Sequence, residues 1–118
     1  MTAFRIVLAL ILVAVVGYTV PVVANHGVNL LPVFFGDIAR MGWPGQFNVD
    51  FMGFLALSGL WLAWRHRFSP GGIALGVVGF FGGAPVLTAY LLMASFRSNG
   101  DWAVLMLGPD RAGALRSG

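Results

Sequence analysis

Apolar residues fall into three long runs, residues 6–24, 49–64 and 73–96, with Asp50 as the sole charged side chain inside them. The first and third runs hold about 19 and 24 residues, against the roughly 20 that a helix needs to cross about 30 Å of hydrocarbon. The middle run, about 16 residues, reaches that length when Phe47 and Asn48 are counted. The pattern predicts an all-α integral membrane protein with three transmembrane helices, over about residues 4–23, 48–64 and 73–96.

Pro21 falls in the last turn of the first helix, where its ring and missing N–H favour an exit, and Asn25, His26 and Gly27 read as a turn. Leu31, Phe34, Phe35, Ile38 and Met41 then recur at spacings of three and four, opposite Gly36, Asp37 and Arg40. That periodicity predicts a short interfacial helix over about residues 32–41, too short to span and amphipathic enough to lie where headgroups meet acyl chains. Gly42-Trp43-Pro44-Gly45 reads as its break, Asn48 as the N-cap of the second transmembrane helix, and Asp50 as a first-turn acid facing the positive end of the helix dipole. Arg65-His66-Arg67 closes that helix, and Ser69-Pro70-Gly71-Gly72 turns the chain into the third, so the second and third helices are expected to form an antiparallel hairpin.

Composition agrees with lipid as the main solvent. Hydrophobic residues make up 58% of the chain and charged ones 9%, well below the quarter usual in soluble domains. The expected organisation is one membrane domain, residues 1–97, and a partly interfacial tail, 98–118, with Trp102–Leu107 along the membrane surface or against a partner. Seven Arg and four Asp supply every charge, Lys and Glu being absent, a bias that suggests a bacterial genome rich in G and C. The net charge of +3 sits at helix ends and tails, which suits membrane lipids as partners and not nucleic acid. With no Cys, thiolate metal sites and thiol catalysis are excluded. Val22-Val23-Ala24 would suit a processing site, but the first apolar stretch exceeds a usual signal core, so that helix is expected to be retained.

With three crossings, Arg5, Arg65 and Arg67 lie on one side and Arg40, Arg97, Arg111 and Arg116 on the other, so the raw count of basic residues does not orient the chain. The compact Arg-His-Arg turn agrees with the basic N-terminus, and all four Asp would lie opposite. The expectation is a multi-pass protein of a bacterial inner membrane, cytoplasmic or intracytoplasmic, with its N-terminus cytoplasmic.

Gly72, Gly76, Gly79 and Gly83 form a stripe along the third helix, matched by Ala56, Gly59 and Ala63 on the second. Small residues at this spacing let helix backbones approach closely in lipid. The stripe serves packing within the hairpin, or else docking on another protein or on a flat ligand such as a carotenoid or quinone tail; no cofactor is predicted, with bound lipid, a carotenoid or a quinone tail as the candidate occupants. Pro85 should kink the third helix, with a hinge as the functional alternative, and Thr88 is placed to satisfy a freed carbonyl. Asp50 is explained by capping, or by an ion pair with Arg40 or Arg97, or as a proton or ion relay. His26 and His66 are the candidate pigment or haem ligands, yet both lie outside the apolar spans and on opposite faces, too far apart to share a metal. No hydrolytic triad, phosphate loop, paired carboxylates or zinc spacing occurs, so no catalytic residue is assigned and an enzyme is not expected.

Residues 5–97 resemble a bacterial family of small three-helix membrane proteins known only as a domain of unknown function. The likeness rests on His26-Gly27, Phe34-Phe35, Phe47 and Asp50, Arg65, then Gly83, Pro85, Tyr90-Leu91 and Arg97. It implies the three-helix arrangement and carries over no activity; the tail from Ser98 departs from the family pattern. Three helices bury only part of their surface on one another. The leading expectation is therefore a non-catalytic accessory subunit of a larger assembly of integral membrane proteins, respiratory or photosynthetic. The alternatives are a small homo-oligomeric transporter or ion conductor using Asp50, and a pigment- or haem-binding protein.

Overall fold

The computed structural model describes residues 1–117, with side chains through residue 115. It is 84% helical with no strand among the described residues. The helices are α1 (Thr2–His26), α2 (Leu31–Ala39), α3 (Trp43–Arg65), α4 (Pro70–Gly82), α5 (Ala84–Arg97), α6 (Trp102–Leu107) and α7 (Pro109–Ser117). At 1.5 Å per residue, α1 and α3 are about 37 and 34 Å long, whereas α4 and α5 are only about 20 and 21 Å. Two helices are thus long and apolar enough to cross a membrane, α1 and α3.

Prolines stand in the first turn of five helices, α2, α3, α4, α5 and α7, and fail to end one, α1. Pro21 forfeits its bond to the Gly17 carbonyl, yet α1 continues past it and stops at Gly27, whose φ of 80° leaves the helical region while its N–H bonds the Val23 carbonyl at 2.8 Å. Pro44, expected to break the chain, instead opens α3 in its first turn, where a missing N–H costs nothing, with Gly42 as N-cap. Asn48 is therefore not a cap: its Nδ2 donates to the Phe34 carbonyl at 3.1 Å and ties α3 to α2. Gly45 makes that docking close, because a Cβ there would strike the Asp37 carbonyl.

The single helix expected over residues 73–96 is two helices that run in opposite directions. Gly72 lies against Ala63 and His66, Gly76 against Gly59, and Gly83 against Phe51 and Leu55, so α4 runs antiparallel to α3. Gly83 then takes φ 66° and ψ −146°, a conformation open to glycine, and Pro85, without an N–H to donate, starts α5 in place of continuing α4. Halfway along α5 the Tyr90 hydroxyl is back at the C-terminal end of α3, 2.7 Å from Arg65 Nη1 and 2.6 Å from His66 Nε2. In one continuous helix, Gly72 and Tyr90 would be separated by about 27 Å of axis; here both touch His66. Pro85 marks a reversal and not a mid-helix kink.

The reversal returns the tail to the end where the chain begins. The N-terminal turns of α1 lie against the C-terminal turns of α5: Arg5 donates to Ser95 Oγ at 3.0 Å and to the Ser95 carbonyl at 2.8 Å, and its guanidinium lies 4.1 Å from the Phe96 ring centre. Phe4 packs on Trp102 with ring centres 5.0 Å apart. The core gathers at this end, with Leu62, Tyr90, Ala94 and Leu105 surrounded by Met1, Phe4, Trp61 and Leu75. Beyond it the surface is apolar and bare: only 6% of the most apolar stretch of α1 and 11% of that of α3 is buried.

Candidate functional site

At the C-terminal end of α3, a polar cluster is built on Arg65. Its Nε donates to the Leu105 carbonyl at 2.7 Å, its Nη2 to the Val104 carbonyl at 3.1 Å and its Nη1 to the Tyr90 hydroxyl at 2.7 Å. The guanidinium fork thereby holds the Leu105 carbonyl, which Pro109 has no N–H to serve, shares the Val104 carbonyl with the capping Gly108 N–H at 2.9 Å, and puts a cation at the negative pole of that helix. Trp61 Nε1 takes a third, the Met106 carbonyl, at 3.2 Å. The other end of α6 is capped by the Asp101 carboxylate, which accepts from the Ala103 and Val104 N–H groups. Gly108, at φ 86°, permits the turn into α7, and a Cβ there would press on the Arg65 carbonyl at 2.9 Å. Arg111 then donates to the Trp64 carbonyl with its guanidinium 4.1 Å from the Trp64 ring centre.

Tyr90 is buried, and its oxygen must accept from Arg65, which can only donate. Its own proton is then free to go to His66 Nε2, so the pairing suits a neutral imidazole with its hydrogen on Nδ1. Burial, and next the adjacent Arg65 cation, lower the His66 pKa below its usual 6.5. A cavity of about 500 Å³ opens beside this cluster, bordered by His66, Tyr90, Arg67, Arg97 and Arg111 and floored by apolar side chains that include Leu75 and Met93.

The predicted site residues are dispersed. Gly72, Gly76 and Gly79 are buried under α3, with Gly59 opposite Gly76 so closely that a Cβ on either would come within 2.8 Å of the other's carbonyl oxygen. Gly79 faces the Leu62 side chain, and Gly83 sits at the reversal. Ala63 is buried in the same seam, while Ala56 borders an apolar groove of about 450 Å³ on its outer side. Pro85 lies in the first turn of α5, and the Thr88 hydroxyl donates to the Ala84 carbonyl at 2.7 Å. His26 ends α1 and is exposed. His66 lies at the other end with its Nε2 engaged by Tyr90, and no group of three metal-ligating side chains occurs among the described residues.

Asp50 lies in α3 two turns past Trp43, exposed, with no ion pair or side-chain hydrogen bond among the described residues. Arg40 pairs locally with Asp37 at 3.6 Å. Arg97, expected on the same face as Asp50, is at the opposite end because α5 turns back, so the Asp50–Arg97 pair is ruled out by geometry. The same reversal moves Asp110 to the Arg-rich end, where its carboxylate lies 3.4 Å from Arg67. Sequence reasoning missed Tyr90; the available signal was a phenol inside an apolar run, whose hydroxyl needs a partner.

No protein-family model, no curated protein and no solved structure matches the chain.

Proposed function

We propose that the chain is a non-catalytic accessory subunit of a larger bacterial membrane complex, inserted through α1 and α3 with its N-terminus cytoplasmic and the α4–α5 pair re-entrant from that side. Exposed Asp50 carries this reading. About 22 Å of helix separate it from Arg65, so with Arg65 at one boundary of roughly 30 Å of hydrocarbon the carboxylate lies about 8 Å inside the other. Acyl chains do not solvate a carboxylate at that depth, and a neighbouring subunit that brings a cation or hydrogen-bond donor does. The nearly bare flanks of α1 and α3 provide the area for such a neighbour. Orientation draws on the reversal: Arg5, Arg65, Arg67, Arg97 and Arg111 gather at one end and Arg40 stands at the other, the distribution that the excess of basic residues in cytoplasmic loops predicts.

Extraction in mild detergent followed by size analysis is the test. The chain should migrate with a larger assembly, and Asp50→Asn should weaken that association. Recovery as a lone 12.6 kDa monomer contradicts the reading. So does ion flux through vesicles that hold this chain alone, if Asp50→Asn abolishes it, since that is the behaviour of a homo-oligomeric conductor.

A further inference from the structure

We propose that the cavity beside Tyr90 is a site for one anionic phospholipid, its phosphate held by Arg97 and Arg67 and its upper acyl carbons by the apolar floor. The volume, about 500 Å³, is in the range of ligand pockets. Charge sets the sign of the occupant: four guanidinium groups, of Arg65, Arg67, Arg97 and Arg111, border the space against one carboxylate, Asp110.

The hydrogen-bond inventory separates the structural cations, Arg65 and Arg111, from the two that can turn to a phosphate, Arg97 and Arg67. Arg65 spends its fork on Val104, Leu105 and Tyr90, and Arg111 is committed to Trp64. Arg67 holds Asp110 in a loose surface pair, 3.4 Å apart with the side chains 65% and 73% exposed. Arg97 borders the cavity, is exposed, and its side chain makes no ion pair or hydrogen bond among the described residues. An arginine kept free at the end of an apolar helix, lining the same cavity as Met93 one turn earlier and Leu75, provides a cation beside an apolar wall. Headgroup phosphate above acyl chain has the complementary order, and Trp61 and Trp64 in the adjoining turn of α3 put this end where interfacial aromatics sit.

The inference rests on the membrane location proposed above and fails separately from it. The purified full chain in detergent is titrated with phosphatidylglycerol and with phosphatidylcholine of the same acyl chains, and bound lipid is counted by native mass spectrometry. Wild type should retain phosphatidylglycerol about 25-fold over phosphatidylcholine, and Arg97→Gln should reduce that preference about fivefold, the factor for roughly 1 kcal/mol per basic residue at an anionic surface. Arg67→Gln should reduce it further, and Arg40→Gln, at the far end, should not change it. Equal retention of the two lipids, or a preference that survives both cavity substitutions, overturns the site alone. Displacement of the lipid by millimolar inorganic phosphate overturns the lipid assignment in favour of the free anion. A chain that stays dispersed without detergent and keeps neither lipid overturns the membrane location and the site together.

Discussion

At Tyr90 one phenolic oxygen joins α5 to the end of α3, accepting from Arg65 and donating to His66. Tyr90→Phe leaves a guanidinium N–H and an imidazole nitrogen without that partner, and a bond to a charged donor contributes about 1.5–3 kcal/mol. The variant should unfold earlier in a detergent titration by an amount in that range. His66 adds a pH dependence whose sign follows from its lowered pKa: as pH falls below 6.5 the unfolded chain takes up a proton that the folded one resists. Stability should therefore decline from about pH 7 towards the lowered value and level off beneath it. Thermal midpoints across that range should show the decline in wild type and a flatter profile in His66→Gln; identical profiles contradict the assignment.

The α3–α4 seam and the α4–α5 reversal depend on glycine for different reasons. Gly76 is needed for space, since a Cβ there meets the Gly59 carbonyl oxygen at 2.7 Å, and Gly76→Leu should cost about 1–3 kcal/mol or separate the helices. Gly83 is needed for its φ of 66°, and Gly83→Ala should cost about 1–2 kcal/mol, read as a lower unfolding midpoint. The two long helices were legible because hydropathy reports length and apolarity directly. The reversal was not, because a run of apolar residues reads alike whether it crosses once or folds into two half-length helices. Gly82-Gly83-Ala84-Pro85 carried the signal, and a kink was the milder reading of the same four residues. Pro44 misled in the opposite sense, as a breaker that is instead a first-turn residue.

Across the whole molecule, 53 × 26 × 24 Å in extent, the reversal decides where every group beyond residue 83 lies. It gathers the arginines, removes Arg97 from Asp50 and builds the cavity from residues 65–67, 75, 90–98 and 104–111. The basic Arg65-His66-Arg67 turn was visible in the sequence, but its partners come from segments up to about 40 residues away that meet it only if the chain folds back. The most direct test of that claim uses single cysteines, which report without background because the chain has none of its own. Val28→Cys, Phe68→Cys and Asn99→Cys are each treated with a membrane-impermeant maleimide in intact and in permeabilised cells. Position 28 should label in intact cells, and positions 68 and 99 only after permeabilisation; labelling of position 99 together with 28, and apart from 68, would mean a third crossing and contradict the account.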